Sequence, residues 1–123
     1  MDKKKAFILW FEDLGIEDVP LVGGKNASLG EMYCNLTKKG ISIPNGFAVT
    51  AYAYRYLLKR AKIERKIKQI LSGLNTNDMQ NLSERGKKAR EAILQAEFPE
   101  ELAKGVTQAY EKLCREYGPD VDV

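Results

Sequence analysis

Apolar residues recur at helical spacing through most of this chain, and that periodicity excludes a fold dominated by sheet. Over residues 26–39, Leu29, Met32, Tyr33 and Leu36 fall at i, i+3, i+4 and i+7, one face of an amphipathic helix. Gly40 after Lys38 and Lys39 stops it, with cations at the negative end of the helix dipole. Leu82, Gly86, Ala89 and Ile93 repeat the spacing, as do Leu102, Val106, Ala109, Leu113 and Tyr117, and Pro99 suits the start of that last helix. Shorter helices are predicted over 51–60, with Thr50 as N-cap, and over 63–71. Residues 7–11 and 47–50 read as strands, and residues 12–22, with Gly15 and Pro20, read as a loop.

The expected class is therefore α/β and helix-rich. A strand–helix–strand–helix unit occupies residues 1–72, and a helical segment occupies residues 73–123 beyond a polar linker that contains Gly73. Residues 121–123 look like the start of another strand, so a chain ending there reads as truncated.

Composition narrows the function classes. With 44% hydrophobic and 30% charged residues the balance is that of an ordinary globular domain. No stretch reaches the ~20 apolar residues of a membrane span, and the apolar run near the N-terminus is too short for a secretory signal. The net charge of +3 gathers largely at Lys3, Lys4 and Lys5, a solvated lead-in rather than a surface for nucleic acid, which needs a clustered basic face. The chain has no histidine. A Ser-His-Asp or Cys-His nucleophile, a histidine metal site and a phosphohistidine carrier are thereby excluded within it. Cys34 and Cys114, without a CxxC spacing, read as buried thiols of a reducing cytosol. Glu12 and Asp13 read as solvated loop acids, and Trp10 and Phe11 as packing residues. Tyr52, Tyr54 and Tyr56 alternate within a helix and so point in different directions.

The chemistry concentrates at Gly23-Gly24-Lys25-Asn26. Two glycines before a helix admit positive φ and leave the backbone N–H groups unobstructed. A helix start offers donors without intrahelical partners and the positive end of the dipole, which together favour a phosphate. Lys25 adds a mobile cation. The pattern is not a Walker A loop, because GxxxxGK[ST] is absent and Asn26 stands where the Ser/Thr would be. A plain Gly-Gly turn with Lys25 in solvent is the alternative from residue types alone. Asn26 is a candidate either for shaping the turn or for meeting the nucleotide.

The stretch Asp13-Leu14-Gly15, then Val22-Gly23-Gly24-Lys25-Asn26-Ala27-Ser28-Leu29-Gly30-Glu31-Met32, then Gly40-Ile41-Ser42-Ile43-Pro44-Asn45-Gly46-Phe47-Ala48-Val49-Thr50, closely resembles the N-terminus of the phosphoenolpyruvate synthase (pyruvate, water dikinase) family. The firm match covers the first half of the chain. Pyruvate, phosphate dikinases and rifampin phosphotransferases share a looser Gly-Gly-Lys and Pro-x-Gly-Phe pattern.

The resemblance implies the N-terminal part of an ATP-grasp-like domain in a cytoplasmic enzyme of gluconeogenesis. That enzyme turns pyruvate, ATP and water into phosphoenolpyruvate, AMP and phosphate. It implies MgATP as ligand, Lys25 on the nucleotide phosphates, and Gly23 and Gly24 shaping the loop around them. The family's Arg-Ser-Ser-Ala segment, its acidic magnesium ligands, its phosphohistidine domain and its pyruvate-binding barrel have no counterpart in these residues, so this chain is not expected to catalyse alone. Its expected partners are ATP and the remainder of the enzyme, or a second copy through exposed apolar surface. Two other readings remain: a non-catalytic interaction module derived from the domain, and the ATP-binding part of a related phosphotransferase with another acceptor.

Overall fold

A computed structural model describes residues 2–123 as two compact units, one built from residues 2–54 and 100–123 and the other from residues 55–99.

The first unit contains the only strands among the described residues, β1 (Ile8–Trp10) and β2 (Phe47–Val49). They pair antiparallel, with Ile8 opposite Val49, Leu9 opposite Ala48 and Trp10 opposite Phe47. Leu9 and Ala48 are buried while Val49 is exposed, the alternation of a sheet with one covered face. Helix α1 (Val19–Leu36) packs against the two 3-10 turns at Phe11–Asp13 and Ile16–Asp18. Helix α5 (Glu100–Tyr117) contacts β1 and contributes Leu102, Ala109 and Leu113 to the core. Three of the five positions expected at helical spacing are therefore inward-facing, and Tyr117 instead meets the Asn45 backbone N–H with its hydroxyl.

Helix α2 (Ala51–Arg60) begins in this unit. Thr50 is its N-cap: its hydroxyl accepts from the Ala53 N–H at 3.1 Å and donates to the Ala6 carbonyl at 2.6 Å. One buried side chain thereby starts a helix and ties it to the segment entering β1.

The second unit holds the rest of α2, then α3 (Glu64–Leu71) and α4 (Met79–Leu94), which pack together. Asp78 caps α4 by accepting from the Gln80 and Asn81 N–H groups. Arg85 reaches back to the Ile70 carbonyl at 3.1 Å, closing the polar connection between α3 and α4. The observed architecture is helix-rich with one small sheet, as the periodicity requires.

Three local readings are corrected. Residues 19–22 are helical rather than loop, because Pro20 lies in the first turn, where its missing N–H has no intrahelical partner to lose. Lys3 is not merely solvated: its ammonium lies 3.0 Å from the Asp18 carboxylate. Cys34 and Cys114 are half-buried, not buried.

Candidate functional site

Helix α1 is broken once, at Gly23, with φ 83° and ψ 166°. This combination is essentially confined to glycine, since a side chain there costs of order 1–3 kcal/mol. The break divides α1 into a first turn, Val19 to Val22, and a long stretch that starts at Gly24. The first turn of that second stretch therefore holds Gly24, Lys25 and Asn26.

Gly23, Gly24 and Lys25 are all exposed. A methyl group added at Gly24 would meet nothing within 4 Å, so the backbone there is open to an approaching ligand. Asn26 is half-buried and its side-chain amide donates to the Val22 carbonyl at 3.0 Å.

The opposite face of α1 is locked. Ala27 is fully buried, and Gly30 is buried with its Cα face pressed on Leu14. At about 100° per residue, Lys25 stands roughly 200° around the helix from Ala27. The packing of Ala27 thus directs Lys25 outward.

A built Cβ at Gly30 would lie 2.4 Å from Leu14 Cβ and 2.9 Å from the Leu14 carbonyl oxygen. Only glycine permits that approach. At the next residue, Glu31 accepts the Ile16 N–H at 2.9 Å and is itself held by the Asn35 amide at 3.1 Å. The Cys34 sulfur sits 3.3 Å from the Glu12 carbonyl oxygen. The segment leading into α1 is consequently fastened along the length of the helix that carries the candidate site.

Asp18 is the remaining anchor. It is buried, accepts the Gly15 N–H at 3.0 Å and pairs with Lys3 at 3.0 Å. Burial pushes its pKa up, but the Gly15 hydrogen bond together with the Lys3 hydrogen bond and charge outweighs that and leaves it below the ordinary carboxylate value. Asp18 escaped the sequence reading because nothing in the local pattern separates a capping acid from a solvated one. Gly30 carried a usable signal, since a glycine inside an amphipathic helix costs about 1 kcal/mol and is retained for a packing reason.

Elsewhere in this unit Trp10 tilts against Phe47 at 5.3 Å, with the Lys112 ammonium 4.4 Å from the Trp10 ring centre. Glu12 lies 3.8 Å from Lys112, an exposed pair of small energetic weight. A hollow of about 560 Å³ lies beside Trp10, Lys112 and Arg115. A second, more apolar one of about 470 Å³ lies beside Phe11, Phe47 and Tyr110. Neither includes the Gly23–Asn26 turn. No three Cys, Asp or Glu side chains among the described residues converge as a metal set would. Among the same residues no helix is long and apolar enough to cross a membrane.

Comparison with known proteins gives the class of this chain. Residues 19–123 match the AMP/ATP-binding domain of pyruvate phosphate dikinase, and the chain belongs to that family. It is 52% identical over 116 residues, 94% of its length, to a phosphoenolpyruvate synthase of Synechocystis. It is 47% identical over 117 residues to that of Aquifex aeolicus, and 41% over 106 residues to that of Escherichia coli K12. These matches cover 95% and 86% of the chain. The chain spans 14% of the length of the first two relatives and 13% of the third.

Proposed function

We propose that this chain is the N-terminal segment, residues 1–123, of the ATP-binding domain of a phosphoenolpyruvate synthase. The domain is ATP-grasp-like and takes MgATP. The whole enzyme is cytoplasmic, serves gluconeogenesis, and forms phosphoenolpyruvate, AMP and phosphate from pyruvate, ATP and water. In this chain Lys25 meets the nucleotide phosphates, and the exposed backbone at Gly23 and Gly24 lets them approach the helix start.

The observation that carries this reading is the exposed Gly23-Gly24-Lys25 helix start in a chain of the AMP/ATP-binding family. The helix N-terminus supplies oriented N–H groups and Lys25 supplies the neutralising charge. Phosphoryl transfer needs several cations placed together, and one lysine does not provide them. The role of these residues is therefore to bind and orient. The carboxylates described here do not converge on a magnesium ion, so nothing in the proposal runs through a metal held by this chain.

Titration of the chain with MgATP, followed by backbone amide NMR shifts, tests the reading. Saturable shifts centred on residues 23–27 are expected, with affinity falling about tenfold or more in Lys25→Ala, the scale of a lost charged hydrogen bond. Lys25 is exposed, so the substitution should leave thermal stability within about 0.5 kcal/mol. Binding with unaltered affinity in Lys25→Ala would remove the lysine from the site.

A further inference from the structure

We infer that Asn26 is a positioning residue for the phosphate turn, acting through the Val22 carbonyl and not by touching the nucleotide. This rests on the reading of the Gly23–Lys25 turn as the phosphate site.

In an unbroken helix the Val22 carbonyl accepts from the backbone N–H of residue 26. Here Gly23 leaves helical geometry between the two, and the Asn26 side chain reaches the same carbonyl with its amide nitrogen at 3.0 Å. That bond closes a ring spanning Val22 to Asn26, with the Gly23 peptide units inside it. Glycine is the residue with the widest conformational freedom, so Gly23 by itself specifies no single orientation for the next two peptide planes. The Asn26 bond supplies the missing constraint. It fixes the break, and with it the direction in which the Gly24 and Lys25 N–H groups face.

The geometry also argues against a direct contact. The donating nitrogen is directed to the chain behind the turn, and Asn26 is half-buried where Gly23, Gly24 and Lys25 are exposed. Residue 26 here is chemically unlike the Ser/Thr of a P-loop, whose hydroxyl serves the metal. The side-chain amide nitrogen is a good donor to a carbonyl. A serine at position 26 keeps a hydroxyl donor in place of the amide. An alanine does not.

The test compares the full chain with Asn26→Ala, Asn26→Ser and Lys25→Ala. For each it records the amide shifts of Gly23 and Gly24 without ligand, and then the MgATP affinity. Asn26→Ala should displace the Gly23 and Gly24 amide resonances before any nucleotide is added. Its affinity should fall about three- to tenfold, the range of one net hydrogen bond. Asn26→Ser should restore both signals, and Lys25→Ala should lower affinity while leaving the free-state amides in place. A fall in affinity with unchanged free-state amides would make Asn26 a direct contact and overturn the inference. Displaced amides with unchanged affinity would overturn it equally. Absence of saturable shifts in the unsubstituted chain would instead bring down the nucleotide reading itself, and the two failures are thus distinguishable.

Discussion

Alanine substitution at three glycines of one helix should give three different outcomes, because space and backbone conformation vary independently along α1. At Gly30 the added Cβ would sit 2.4 Å from Leu14 Cβ and 3.0 Å from the Leu14 carbonyl carbon. Carbon atoms settle at about 3.5–4.0 Å, so α1 or the Leu14 backbone must retreat by more than ~1 Å. Leu14 is 3% exposed, and its neighbourhood has nowhere to yield. Overpacking of this kind costs about 1–3 kcal/mol, and the upper end applies because backbone, not a flexible side-chain tip, is the obstacle. Replacing helical glycine by alanine returns about 1 kcal/mol. The net expectation for Gly30→Ala is a loss of about 2 kcal/mol, or roughly 6–10 °C in Tm for a chain of this size.

Gly24 has helical geometry and open space. Gly24→Ala should therefore stabilise by about 0.4–1 kcal/mol, mainly by restricting the unfolded chain. Gly23 has open space as well, but its φ of 83° is strained for any side chain, so Gly23→Ala should cost about 1–3 kcal/mol. Urea and thermal unfolding followed by far-UV circular dichroism rank the three. If Gly30→Ala proves as stable as Gly24→Ala, the close approach of α1 to Leu14 is wrong.

Asp18→Asn should destabilise by about 1–3 kcal/mol near neutral pH, the scale of hydrogen bonds to a charged group. The Asp18 carboxyl has a folded-state pKa below its unfolded value. Its contribution is therefore full above the unfolded pKa and is lost as pH falls from about 4 towards the folded pKa. Urea midpoints of the two proteins should converge over that window, and a constant gap would contradict the assignment. Thr50→Ala removes both the α2 cap and the bond to the Ala6 carbonyl and should cost about 2–3 kcal/mol. Thr50→Ser should recover most of that loss in the same urea assay, because it keeps the hydroxyl.

Much of this organisation is legible in the chain because helix formation has a strong one-dimensional signature. The helix over residues 26–36, the Thr50 cap and the helix after Pro99 are local features, and each appears in the fold. The face expected from Leu29, Met32, Tyr33 and Leu36 does not: Met32 is exposed, and α1 buries Ala27 and Gly30 instead. The Gly-Gly-Lys turn was also legible, since glycines before a helix announce an exposed backbone.

The supports of that turn were not. Asp18 looks like any loop acid until Lys3, fifteen residues away, closes on it. The Ile16 N–H finds Glu31 across the same separation. No periodicity encodes such pairings, because they depend on where two segments meet.

Sequence alone determined the helices, the two short strands, the absence of histidine chemistry and the resemblance to a family. All of these follow from residue type and near-neighbour spacing. Tertiary structure alone decided that α5 joins the N-terminal unit and that Gly30 seats on Leu14. It also decided that Lys25 faces outward while Asn26 turns back on Val22. Those outcomes are set by packing between residues far apart in the chain and by the dihedral angles of one glycine, and neither is written in the local pattern.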